Sequence, residues 1–310
     1  MKNSDNNKFY KTTKRTKKKK NKVSKSKINE EVKFFTIISI CYESLKLYFK
    51  NIDIFFKILF WPIFGQLLGL IFIFSATYFY TINFQTNLAK FSILENQNIS
   101  FLFLLLFTLP GFLIFTKSFW DYLISIAAIN SISVDVDTSG HIKNIQSHYD
   151  IVFRRSKDYI ILLLIIAFIT FLGYLCFIIP GLIFSLLFCL TIQIFALDES
   201  KNIFSILKTS ISIVSKYLFS IICILIFLFI VSYIIIPKSV YFAVSYLKLD
   251  YYLSTPIEAF IQTLPLKQFN LDSLEVSNHI FEMIITSIAC GFTLPIRDIA
   301  LTLFYRRYEK

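Results

Sequence analysis

Between Asp158 and Asp198 the chain carries no charged residue. A single helix of about 40 residues would be about 60 Å long, and the hydrocarbon core of a bilayer is only about 30 Å thick. The chain must therefore turn back inside this stretch. Pro180-Gly181 is the predicted turn: proline removes a backbone donor and fixes φ, and glycine accepts tight-turn geometry. This predicts a transmembrane hairpin, with spans at about 159–179 and 182–197 and a very short connection.

The same reading extends to the whole chain. Apolar residues make up 55% of it and charged residues 17%, well below the roughly 25% charged residues of soluble domains. Further apolar runs predict spans at about 58–80, 101–129, 217–236 and 281–305. Pro237 is expected to end the fifth span, and Pro295 to interrupt the last. Residues 238–278, with little net charge, read as a segment outside the membrane.

Polar residues recur every three or four positions from Thr36 to Lys57 and predict an amphipathic helix over 31–57, lying at the interface. Glu43 with Lys46, and Asp53 with Lys57, are spaced to pair on its surface. Two more amphipathic stretches follow. In one, Ile142, Ile145, Tyr149, Val152 and Phe153 share a face. In the other, Ile203, Leu207, Ile211, Val214 and Leu218 do. Each stretch precedes two spans. The predicted fold is an all-α polytopic membrane bundle: six transmembrane helices in three units, each an amphipathic helix followed by a hairpin. Residues 31–310 form this domain, and residues 1–30 form a disordered lysine-rich tail.

The net charge of +12 is concentrated in that tail, since 13 of the 32 basic residues fall in the first 33 positions. Such a run self-repels and lacks apolar anchors. It reads as a solvated topogenic tail or, more sharply, as one that adheres to anionic lipid headgroups; without interleaved aromatics it argues against nucleic acid as a partner. Basic residues also gather at 131–157, 198–216 and the C-terminus. The positive-inside rule then places both termini in the cytoplasm, and the expected location is the cytoplasmic (inner) membrane.

No nucleotide-binding, metalloprotease, hydrolase-elbow or haem-attachment motif occurs. Cys41, Cys176, Cys189, Cys223 and Cys290 form no CxxC pair, and His141, His148 and His279 are not spaced as ligands, so neither metal nor cofactor is expected. Asp135 and Asp137 are assigned to a loop without a partner base, and Asp198-Glu199 to a helix start. The remaining polar candidates are Arg297 with Asp298 in the last span and Lys117 with Asp121, one helical turn apart, which lie at the interface if the second span ends early and otherwise form a structural or functional pair inside the bundle. If spans two and six meet, these four charges form an intramembrane cluster. Charges at that depth face protein or water.

Phe177-Ile-Ile-Pro-Gly-Leu-Ile-Phe-Ser185, then Asp198 and NIFSILKTSISIVSKYLFSI, then TLPIRDIALTLFYRRY with Pro295 and Tyr305, together resemble a bacterial superfamily of multi-pass membrane proteins. That superfamily includes the membrane domain fused to some glycerophosphodiester phosphodiesterases and the YciC-like inner-membrane proteins. The resemblance covers roughly Ser118 to Lys310. It implies a membrane bundle without catalytic residues to transfer, and no phosphodiesterase domain is attached. The chain departs from the pattern in Arg297-Asp298, in its lysine tail and in its long last loop. The expected role is a non-enzymatic one, organising the membrane or binding a partner. The alternatives are a transporter of a small molecule or lipid and, behind it, a membrane enzyme.

Overall fold

A computed structural model describes residues 35–80, 97–140, 142, 144–249, 254–255, 257–258 and 272–308. The tail 1–30 and most of the segment 238–278 beyond 249 lie outside the described residues. Helix α1 covers 35–50. It is followed by α2 (Ile52–Phe79), α3 (Gln97–Ser139), α4 (Ile145–Arg154), α5 (Ser156–Cys176), α6 (Ile178–Leu187), α7 (Thr191–Leu197), α8 (Ile203–Lys216) and α9 (Leu218–Phe229). A π-helical segment, Ile230–Ile235, leads into α10 (Ile236–Tyr246), and α11 (Ser273–Tyr308) closes the chain. No strand occurs among the described residues.

Six helical stretches are long and apolar enough to cross a bilayer: α2, α3, α5, α6–α7, α9–α10 and α11. Their outer faces carry exposed Phe, Leu and Ile side chains, among them Phe168, Phe171 and Phe219. Water would not tolerate so continuous an apolar surface, and lipid requires it. The protein is an integral, multi-pass membrane protein with an all-α fold. Each of α1, α4 and α8 precedes two spans, as the amphipathic pattern predicts.

Several boundaries differ from the sequence reading, each for a local reason. The reversal after α5 is centred on Phe177, whose backbone is extended (φ −166°, ψ 159°). Pro180 and Gly181 fall in the first turn of α6 instead. There the missing proline N–H costs nothing, because first-turn donors have no intrahelical partner. Gly181 is still needed: a methyl group on it would lie 2.3 Å from the Tyr174 ring. Helix α3 runs ten residues past 129 to Ser139 and stops at Gly140, in the left-handed conformation (φ +71°). Asp135 and Asp137 are therefore helical, not in a loop. Pro237 does not end the fifth span, and α11 is continuous through Pro295.

The inward faces of the surface helices are also rotated from expectation. In α4, His148 and Val152 are buried and Phe153 is exposed; in α8, Ile206, Leu207, Ser210 and Val214 are buried and Ile211 is exposed, as is Leu218 at the start of α9. Period alone does not separate a face against protein from one against lipid.

The axis of the bundle is the second half of α11. Every residue from Asp298 to Tyr305 is buried, and a helix buried all round sits in the centre of its bundle. Ile124 to Ile132 of α3 and Ile194-Phe195 of α7 pack into the same core.

Candidate functional site around the last span

Prolines in α9–α10 and α11 leave backbone carbonyls without their helical donors, and inside lipid each must find another. In the π segment the Ile236 N–H reaches Val231 O, so the next carbonyl, Ser232 O, would need the N–H of Pro237, which has none. Thr293 Oγ1 donates to it instead, at 2.8 Å. Pro295 likewise deprives Gly291 O four residues back; the Tyr122 hydroxyl donates there at 3.1 Å. The adjacent Phe292 O accepts from the Tyr48 hydroxyl at 2.8 Å. Burial pushes the Tyr48 phenol up to about 12, so it remains a donor throughout the neutral range.

One turn beyond Pro295 lies a buried polar site. Asp298 is 1% exposed. Its Oδ1 accepts from Gln193 Nε2 of α7 at 3.3 Å and from the Arg297 guanidinium at 3.3 Å. Six buried side-chain atoms lack a hydrogen-bond partner among the described residues, and three belong to this group: Asp298 Oδ2, Gln193 Oε1 and Arg297 Nε. An unpartnered buried carboxylate oxygen is costly, so its persistence marks the site as a candidate. Below it, Thr302 donates to Asn130 of α3 at 2.9 Å.

The four charges expected to cluster are divided between two faces. Spans two and six do meet, through Tyr122–Gly291 and Asn130–Thr302. Yet Lys117 and Asp121 pair with each other on the outside of α3, with side chains 69% and 35% exposed. Asp121 there borders an open cleft of about 390 Å³ with Lys57, Trp61 and Tyr149. No hydrogen bond or ion pair joins this pair to Arg297-Asp298 among the described residues.

Towards its C-terminus α11 bonds to α1, to the end of α3 and to the linker before α8. Arg307 pairs with Glu43 of α1, so Glu43 meets α11 rather than Lys46. Arg306 pairs with Asp137 at the end of α3, at 2.9 Å. Asp135 on the same end of α3 lies 3.2 Å from His148 Nε2 of α4, while His148 Nδ1 meets Ser131 Oγ at 2.8 Å. The Tyr305 hydroxyl accepts from Lys201 at 3.2 Å, just before α8.

Arg155 joins α5 to the same end. Its guanidinium donates to the carbonyls of Phe195, Asp198 and Lys201 at 3.0, 3.3 and 3.2 Å and lies 4.3 Å above the Phe195 ring. It supplies donors to the carbonyl end of α7, where a cation also suits the helix dipole.

Asp198-Glu199 do not start a helix: Asn202 caps α8 by accepting from Ser205 N, and Asp198 accepts from Ser200 N in the linker before it. Hydrogen bonds from Lys201 and Ser200 hold the Asp198 carboxyl below the usual value. Burial lowers the Lys201 ammonium, but its bonds to Asp198 and Tyr305 outweigh that and hold it above the ordinary lysine value.

The sequence reading named Arg297 and Asp298 but missed Gln193, Arg155, His148 and the hydroxyl donors. Gln193 was legible as the lone amide in an apolar span. The partners of Tyr122 and Thr293 depend on contacts across 169 and 61 residues of chain. No cluster of His, Cys, Asp or Glu able to hold a metal occurs among the described residues. The sequence matches no family model, and no curated protein or solved structure matches it.

Proposed function

We propose that this protein is a non-enzymatic membrane-organising protein of the cytoplasmic membrane. In this reading three amphipathic helices lie along the cytoplasmic face, both termini are on that side, and the basic tail adheres to anionic lipid. One observation carries it: the C-terminal end of α11 ties to α1 through Arg307–Glu43, to the end of α3 through Arg306–Asp137, where Asp135 in turn meets His148 of α4, and to the linker before α8 through Tyr305–Lys201. A single end of one span is thereby linked, directly or through one further contact, to all three surface helices. Exposed Phe35, Ile38, Tyr42 and Phe49 on α1 give that helix an apolar face for the leaflet.

Transport is the second reading, supported by the partnerless atoms of Gln193, Arg297 and Asp298 beside two proline-altered spans. Proteoliposomes separate the two. The organising reading expects anionic lipid to be enriched around the full-length protein, weakened when Lys17, Lys18, Lys19 and Lys20 are changed to Gln, with solute flux no greater than in protein-free vesicles. Flux that disappears in D298N overturns it in favour of transport.

A further inference from the structure

A second polar recess lies apart from the Asp298 site, between α8 and the end of α11. It is an open cleft of about 450 Å³ lined by Lys201, Lys208, Thr209, Ser212, Ile213 and Tyr308. The ammonium groups of Lys201 and Lys208 and the hydroxyls of Thr209 and Ser212 line one small volume, the Tyr308 hydroxyl being bonded to Thr36, and no carboxylate is among the lining residues. Asp198 offsets part of the charge by pairing with Lys201 at 2.9 Å. Lys208 makes no ion pair among the described residues, so the cleft keeps a net positive charge. Donors of this kind, converging without acceptor anions, match the oxygens of a phosphate group.

The surroundings indicate where that phosphate comes from. Phe204, Lys208 and Ile211 are spaced four and three apart, so they share one face of α8. Phe204 is 78% exposed, Ile211 is also exposed, and Lys208 lies between them. An apolar, basic, apolar face is the pattern of a helix seated at the headgroup boundary, with its hydrocarbon below and its ammonium at phosphate depth. Arg306, Arg307 and Tyr308, beside the cleft near the end of α11, supply the basic and aromatic residues typical of an interface. A free anion would have no use for the flanking Phe204 and Ile211, whereas a phospholipid would place its chains against them.

We propose that the cleft between α8 and α11 binds the phosphate headgroup of an anionic phospholipid. Lys208, Thr209 and Ser212 contact the headgroup, the Tyr308 side chain forms one wall, and Lys201 closes the inner side. The inference rests on the membrane-organising reading and gives it a defined lipid site separate from the basic tail.

The test is native mass spectrometry of the full-length protein in detergent, titrated with phosphatidic acid and, separately, with phosphatidylcholine. The expected result is one phosphatidic acid held per chain in preference to phosphatidylcholine. The double variant K208Q/S212A should bind it about tenfold more weakly, the scale of losing a charge-assisted hydrogen bond. Both side chains are exposed, so the variant should unfold at the wild-type temperature, and the wild-type lipid preference tests the site without any substitution.

Equal binding of the two lipids overturns the proposal. So does wild-type affinity in K208Q/S212A, and so does loss of all binding when Lys17 to Lys20 become Gln, which would assign the lipid to the tail. Inorganic phosphate displacing the lipid at equal concentration overturns the lipid source and leaves an anion site. Solute flux in proteoliposomes is scored separately: failure of lipid binding without flux removes only this site, and flux removes the organising reading itself.

Discussion

Two seams hold the spans together, and they use opposite chemistry. Along α2 and α3 the helices meet through small residues. A methyl group at Gly69 would lie 2.6 Å from the backbone nitrogen of Phe115, one at Gly111 would lie 2.9 Å from Gly69 O, and one at Gly65 would overlap the Ser118 side chain. Lipid chains are as apolar as leucine, so close backbone approach and dispersion drive such a contact. Along α11 the helices meet through hydroxyls: Tyr48, Tyr122 and Thr293 donate to carbonyls beside Pro295 and Pro237. The first seam is set by glycines, with the Ser118 hydroxyl and the Gln66 amide as its polar groups and no ionisable side chain at the three glycine contacts. The second runs directly into Asp298, Gln193 and Arg297. Candidate chemistry lies on the seam built from polar bonds, and the glycine seam gives it a rigid support.

The largest expected effect breaks the glycine seam. Gly69→Ala places a methyl group against the backbone of α3, which cannot move aside as a side-chain tip can. A loss of about 3 kcal/mol is expected, the upper range for overpacking, read as a marked fall in thermal midpoint in nanodiscs. Gly111→Ala should act similarly. A midpoint unchanged by either would mean that α2 and α3 do not approach as described.

The polar seam should respond less, one bond at a time. Tyr122→Phe leaves Gly291 O without its donor, and Thr293→Val does the same to Ser232 O. Each should cost about 1–3 kcal/mol, the range for a buried group left unpaired. Hydrogen exchange should speed up in α11 near Pro295 for the first and in the π segment for the second, with α2 and α3 unchanged. Exchange rising equally in all spans would mean that the two seams are not separate.

A glycine within the polar seam sharpens the contrast. A methyl group at Gly291 would meet only the Ile63 side-chain end, at 3.1 Å, which can rotate away. Gly291→Ala also gains helix propensity. The net change should stay within about 1 kcal/mol, far below that of Gly69→Ala. A comparable loss at both positions would remove the distinction between glycine needed for space and glycine merely present.

This contrast also explains what the sequence could disclose. Six apolar runs report the solvent around the backbone, so the spans and the all-α class were legible. Ends were placed too early wherever polarity rose before the helix stopped, as at Asp135 and Asp137 in α3 or Lys238 in α10. Hydropathy registers departure from lipid, not the end of the hydrogen-bond ladder. The prolines were read as breaks because their rescue comes from elsewhere: nothing near Pro295 announces Tyr48 or Tyr122. Arg297 and Asp298 stood out as charges in an apolar span, but their separation from Lys117 and Asp121 follows from helix rotation, which a narrow apolar stripe does not define when lipid and protein are both apolar.

The smallest expected effect lies where the polar seam reaches water. Asp198 bonds Lys201, which bonds Tyr305 of α11. Because Lys201 and Ser200 hold the Asp198 carboxyl below its ordinary value of 3.8, the folded protein binds this proton less readily than the unfolded chain. The stabilisation is therefore complete above pH 3.8 and is lost as pH falls through the lower folded value. In D198N that contribution is absent at every pH. The wild type should have the higher thermal midpoint at neutral pH, and the two curves should converge only below about pH 4. Other carboxylates titrate in the same range, so the difference between the two proteins carries the information, not either curve alone. A constant difference down to the most acid pH at which both fold would mean that Asp198 acts through packing and not through its charge. The Lys201–Tyr305 contact would then owe nothing to the carboxylate, and the polar seam would end inside the membrane, as the glycine seam does.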